Sequence, residues 1–127
     1  MKTISDYTIY CTPEQTKKAL ELGANIIKVE EDFNAVPTCY VDKSNDLYEI
    51  PTAEQMIGFL EEQNGIKEIS VYCDVTGKTW YFDMYGYEGN SLITIKEISN
   101  SYSFLSRKEA TLAAIGAALE YLLNKKK

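Results

Sequence analysis

The stretch KEISVYCDVTGKTWYFDMYGYEGNSLITIKEI, residues 67–98, decides the fold. Ile69, Val71, Cys73 and Val75 alternate with Ser70, Tyr72 and Asp74. That period of two places one set of side chains on each face of a strand. Thr76-Gly77-Lys78 reads as a turn. Beyond it Trp80, Phe82 and Met84 alternate with Tyr81, Asp83 and Tyr85, which predicts a second strand. GYEGNS (86–91) is rich in glycine and asparagine and reads as a second turn. LITIKEI (92–98) predicts a third strand, and SYSFL (101–105) extends it or adds a short fourth. Consecutive strands joined by short turns form an antiparallel meander.

Helices flank this stretch, and three helix starts share one pattern. CTPEQTKKALELG (11–23) offers Thr12 as N-cap, Pro13 at the first helical position and Gln15 three residues after the cap. IPTAEQMIGFLEEQNG (50–65) offers Thr52 and Gln55, and LSRKEATLAAIGAALEYLLN (105–124) offers Ser106 and Glu109. Each pair predicts a capping box, in which hydroxyl and Glu/Gln side chains satisfy free N–H groups reciprocally. Gly23 and Asn64-Gly65 supply stops. NIIKVE (25–30) and TCYVD (38–42) are weaker strand candidates, while EEDFNAVP (30–37) and DKSND (42–46) read as loops. The expected fold is α+β and a single domain, 1–127: an antiparallel three- to four-stranded sheet with helices packed on one face. Residues 50–124 form a helix–three strands–helix core, and residues 1–49 an N-terminal helix and weak strands.

The last helix carries two stripes. Leu112, Ile115, Leu119 and Leu122 form a large-residue face suited to packing on the sheet. Ala110, Ala113, Ala114, Ala117 and Ala118 with Gly116 form a small-residue side that admits another helix or a second subunit.

Composition removes several function classes. A net charge of −6 argues against non-specific binding to nucleic acid or anionic membrane, which needs a basic surface. No apolar run is long enough to span a membrane, and MKTISDYTIYCT lacks signal-peptide features, so a cytoplasmic location is expected. There is no histidine, and Cys11, Cys39 and Cys73 stand far apart. Histidine-dependent nucleophilic catalysis and a structural zinc site are therefore not expected, nor is any metal or cofactor. Glu30, Glu31 and Asp32 read as a solvated loop, because consecutive carboxylates rarely converge.

Three features attract a ligand reading. Arg107, the sole arginine, stands beside Lys108 at a helix start, where partial positive charge makes cations unwelcome. Either the two side chains curl into solvent, or an anion sits between them and the free N–H groups. Trp80 lies at a strand start beside a turn, placed for the core or, half exposed, for stacking on a base. Asn90 lies in a glycine-rich turn, where it serves the turn or reads an adenine edge or ribose hydroxyl.

Two resemblances follow. The helix–three strands–helix order ending SRKEATLAAIGAAL resembles a double-stranded-RNA-binding domain, with Arg107, Lys108 and Ala110 matching the opening of that family's last helix. Thr111 stands where its third basic residue belongs, and TGKTWYF lacks its Gly-Pro loop. Residues 50–124 also resemble small phage proteins of the Thoeris anti-defence type, which sequester a cyclic ADP-ribose signal made by TIR enzymes. In that family an aromatic in the sheet, an Asn after the next turn and an Arg opening the last helix line the pocket, and Trp80, Asn90 and Arg107 stand in that order. The resemblance implies a non-enzymatic, homo-oligomeric protein that binds a cyclic ADP-ribose isomer or cyclic oligonucleotide without degrading it. Trp80 would stack the base, Asn90 bind a base or ribose edge, Arg107 hold phosphate with Lys108 beside it, and Lys28 add a further phosphate contact. The alternatives are an acidic interaction protein that inhibits a host protein and a double-stranded-RNA-binding-like domain.

Overall fold

The computed structural model describes residues 8–29, 39–95 and 103–126. The order is α1 (Pro13–Glu21), β1 (Lys28–Val29), β2 (Cys39–Val41), β3 (Leu47–Glu49), α2 (Ala53–Glu61), β4 (Glu68–Cys73), β5 (Trp80–Glu88), β6 (Ser91–Thr94) and α3 (Arg107–Lys126). The α+β class and the antiparallel β4–β5–β6 meander stand as the sequence implies. A second antiparallel sheet, ordered β1–β3–β2, joins the two weak strand candidates through β3. Sequence reading missed β3: three residues are too few to show a period, and the pairing with β1 and β2 defines the strand.

The helix caps are local chemistry and form where expected. Gln15 N–H donates to the Thr12 hydroxyl at 3.1 Å, and Thr12 N–H donates back to Gln15 Oε1 at 3.2 Å. Thr52 and Gln55 repeat the exchange at 3.2 and 3.0 Å. At α3 the box is offset. Glu109 N–H donates to Ser106 Oγ at 3.1 Å, but the Glu109 carboxylate accepts from Leu105 N–H, one residue ahead of the cap. Helix α1 ends in a Schellman motif: Ala24 N–H reaches Ala19 C=O and Gly23 N–H reaches Leu20 C=O, with Gly23 at φ 89°.

Strand β4 stops two residues short of the expected Val75. The Thr76 hydroxyl donates to the Asp74 carboxylate at 2.7 Å, and Asp74 N–H donates to Thr79 C=O. The turn therefore opens at Asp74 and leaves Val75 fully exposed. The expected extension of the third strand over 96–98 and the acidic loop 30–37 lie outside the described residues. From 101–105, Phe104 forms one bridge to Trp80.

Helix α3 packs against β4, β5, α1 and α2. Ile115, Leu119 and Leu122 enter the core with Leu60, Met84 and Phe82. Ala110, Ala114 and Ala118 are fully buried too, so apolar side chains occupy a wide arc of this helix. Helix α1 takes the neighbouring line. Gln15 donates its side-chain amide to Leu112 C=O at 2.8 Å, and the same nitrogen sits where a Cβ on Gly116 would just touch it. Lys18 pairs with Glu120 one turn further along. Of the two occupants the sequence admits for the small-residue side, another helix or a second subunit, the described residues show the first: α1 lies against it.

Candidate functional site

The helices cover one face of the β4–β5–β6 sheet. Side chains alternate across a strand, so Phe82, Met84 and Gly86 of β5 point into the core and are buried. Tyr81, Asp83, Tyr85 and Tyr87 lie on the opposite face. The register sets Tyr72 beside Tyr81, Ser70 beside Asp83 and Glu68 beside Tyr85, while Leu92 and Thr94 stand beside Tyr87 and Tyr85. The result is an open tyrosine face. Tyr72 and Tyr87 are 37% and 61% exposed, and Tyr81 and Tyr85 are half-buried among their neighbours.

This face is ordered by its own contacts. The Tyr72 and Tyr81 rings stack at 5.8 Å. The Tyr72 hydroxyl donates to Asp83 Oδ2 at 2.8 Å, and that bond pushes its phenol up to about 12, so the ring stays neutral. Lys67 Nζ lies 6.0 Å from the Tyr87 ring centroid. Such a surface presents rigid aromatic area and hydrogen-bonding tips, the composition of a contact surface.

Trp80 opens β5, and a bridge to Phe104 holds it: Trp80 N–H donates to Phe104 C=O at 2.8 Å and Phe104 N–H donates back at 2.9 Å. The Phe104 ring stacks on Phe82. Arg107 follows three residues later, so the bridge brings the start of α3 to the Trp80 end of the sheet. Asn90 sits in the β5–β6 turn at the other end. Eight residue steps of extended strand separate Trp80 from Glu88, a rise of about 27 Å. One chain therefore does not gather Trp80, Asn90 and Arg107 around one nucleotide-sized ligand. Lys28 belongs to the other sheet and pairs with Asp46 at 3.1 Å, which raises its pKa. Arg107 and Lys108 are exposed, with the Glu109 carboxylate beside them in the first turn.

Clefts indent the described surface on the helix side and at the end of the sheet. One of about 280 Å³ lies between the end of α1 and α2 and is lined by Ala24, Ile26, Pro51, Met56 and Phe59. Two adjoining clefts of about 830 and 630 Å³ share Gly65, Gly86, Tyr87 and Lys125. None of the three is lined by Trp80, Asn90 or Arg107.

The chain matches no known protein family, curated protein or solved structure. Its chemistry must be read from its own residues. Among the described residues no group of three His, Cys, Asp or Glu could hold a metal ion, and no helix is long and apolar enough to cross a membrane. Cys11 is buried beside Thr52 C=O, and burial pushes its thiol up to about 12, far from a reactive thiolate.

The sequence reading set Tyr81, Asp83 and Tyr85 on one face of a strand but drew no site from them. The signal was present in the parity of positions 81, 83, 85 and 87, and the pairing register adds Tyr72 to the same face.

Proposed function

We propose that this chain is a binding protein without chemistry of its own, and that its contact surface is the open tyrosine face. The partner is a basic protein surface that presents arginine. The observation that carries this reading is the set Tyr72, Tyr81, Tyr85 and Tyr87 on one sheet face, against which no described helix packs. Tyrosine gives large contact area at low entropic cost, and its ring face receives a guanidinium. Asp83 and Glu68 share the face and complement such a cation, and the net charge of −6 steers a basic partner toward it. The test is affinity capture with the immobilised chain, followed by calorimetry on the basic protein recovered. Changing Tyr72 and Tyr87 together to serine should weaken that binding by about a hundredfold while leaving the melting temperature within a few degrees, since ring anchors dominate interface energetics. Unchanged affinity in the double variant overturns the reading.

A second reading keeps the sequestered cyclic nucleotide and moves it to the Trp80 end of the sheet. The Trp80–Phe104 bridge supports it by bringing an indole and Arg107 to the same end. In this form Asn90 and Lys28 take no part. A panel of cyclic ADP-ribose isomers and cyclic oligonucleotides should then raise the melting temperature, with intact ligand recovered after heating. Arg107→Ala should abolish the shift without altering the unliganded melt. Absence of any shift across the panel ends this reading, and a degraded ligand would make the protein an enzyme instead.

A further inference from the structure

The two edges of the β4–β5–β6 sheet are treated differently. On β4, the Asp74 N–H to Thr79 C=O bond sets the alternation, so Ile69 turns its backbone N–H away from β5. The Glu61 carboxylate accepts that N–H at 2.9 Å. Glu68 stands next to it, so a side-chain acceptor and a charge guard the Ile69 end of this edge. On β6, Ile95 N–H donates to Met84 C=O at 2.8 Å. By the same alternation Ser91 and Ile93 face β5, while Leu92 and Thr94 point their N–H and C=O groups outward.

Natural edge strands are blunted by charge, proline or a covering element, because unpaired backbone groups are a template for another strand. Strand β6 reads Ser-Leu-Ile-Thr, with no charge and no proline. All four residues are exposed, Leu92 at 49% and Ile93 at 39%. Among the described residues no side chain caps its outward groups.

We propose that the free edge of β6 pairs with β6 of a second copy of this chain, antiparallel about a two-fold axis through Ile93. The spacing selects this register. Leu92 and Thr94 are the outward-facing pair, and with Leu92 opposite the second copy's Thr94 every outward N–H and C=O of both strands finds a partner. The two Ile93 side chains then face each other in a non-hydrogen-bonded pair, the closer of the two antiparallel pairings, on the helix side of the sheet. Charge favours self-pairing at this place. A chain of net charge −6 repels its copy over most of its surface, whereas β6 and the Gly89-Asn90 turn before it carry no charge. The isologous contact closes, so association stops at a dimer. It builds one six-stranded sheet with the tyrosine face continuous across the junction, and it stands whether or not that face takes a basic partner.

The contact is short, so a weak dimer is expected, well below the strength of a standard-size interface. Light scattering or sedimentation of the full chain, from micromolar to millimolar concentration, should show the mass rising from 14.4 kDa toward twice that value. Thr94→Pro removes an outward N–H and leaves the Ser91, Ile93 and Ile95 bonds to β5 in place, a position where an edge strand tolerates proline. Ile93→Lys sets two like charges on the axis. Each variant should weaken self-association by about tenfold or more while keeping the wild-type circular dichroism. A wild-type chain that stays monomeric at millimolar concentration overturns the proposal, and so does a dimer that survives Ile93→Lys unchanged.

Discussion

Replacing Leu119 with alanine is expected to destabilise the chain by about 3–4 kcal/mol. Leu119 lies in the middle of α3, fully buried, in the cluster that includes Ile115, Leu122, Met84 and Leu60. Truncation loses the transfer energy of the removed carbons and leaves a cavity that the surroundings fill only in part. Collapse around Leu119 is restrained because α3 is held from several sides: the sheet and α2 pack against it, and α1 is fixed to it through the Gln15 bond to Leu112 C=O. For a domain of this size the loss corresponds to a fall of roughly 10–15 °C in melting temperature. Denaturant unfolding should show a lower midpoint with an unchanged slope, since the surface exposed on unfolding is nearly the same. Leu112→Ala is the internal comparison. Leu112 belongs to the same stripe in the sequence but is only half-buried, and it should cost well under half as much. Equal losses at the two positions would mean that α3 is not buried in the way described.

What the sequence made legible follows from how local each determinant is. Thr12 with Gln15, and Thr52 with Gln55, could be read because a capping box closes within four residues. The meander could be read because its strands alternate and its turns carry glycine. The second role of Gln15, spanning to α3 through the same side chain that caps α1, depends on packing and leaves no periodic trace. Val75 was misassigned because alternation alone does not register a Thr76 hydroxyl competing for Asp74. Within one chain Trp80 and Asn90 stand at opposite ends of β5, and that separation was legible. Trp80, Asn90 and Arg107 were joined by their order along the chain, yet a straight strand carries its two ends apart by about 3.4 Å per residue. Strand length, counted between Trp80 and the turn, already separated two of them. The bridge from Trp80 to Phe104, which does bring Arg107 near, is a single pair with no periodicity to announce it.

Glycine at two positions in this fold should respond to the same substitution with opposite sign. Gly86 lies in β5, buried, with the Gly65 carbonyl oxygen 2.8 Å from where a Cβ would stand and Ile95 carbons at 3.4 and 3.5 Å. Its own backbone is ordinary extended strand, so the constraint is space rather than torsion. The obstacle is a main-chain oxygen in the turn after α2, where Gly65 holds φ 123° with Lys125 packed beside it, so it cannot rotate aside as a side chain could. Gly86→Val should therefore push β5 away from that turn and cost about 3 kcal/mol, at the upper end for overpacking. Gly86→Ala meets the same oxygen but recovers part of the cost by lowering chain entropy in the unfolded state, leaving about 1–2 kcal/mol. Gly58 sits in the exposed part of α2 with no atom within 4 Å of its would-be Cβ. There alanine gains helix propensity without a clash and should stabilise by about 0.5–1 kcal/mol. Denaturant titrations of Gly86→Val, Gly86→Ala and Gly58→Ala should rank in that order of rising midpoint, with wild type between the two alanine variants. A Gly86→Ala chain as stable as wild type would show that the β5 backbone does not approach the Gly65 carbonyl, and would loosen the end of the sheet on which Tyr87 stands.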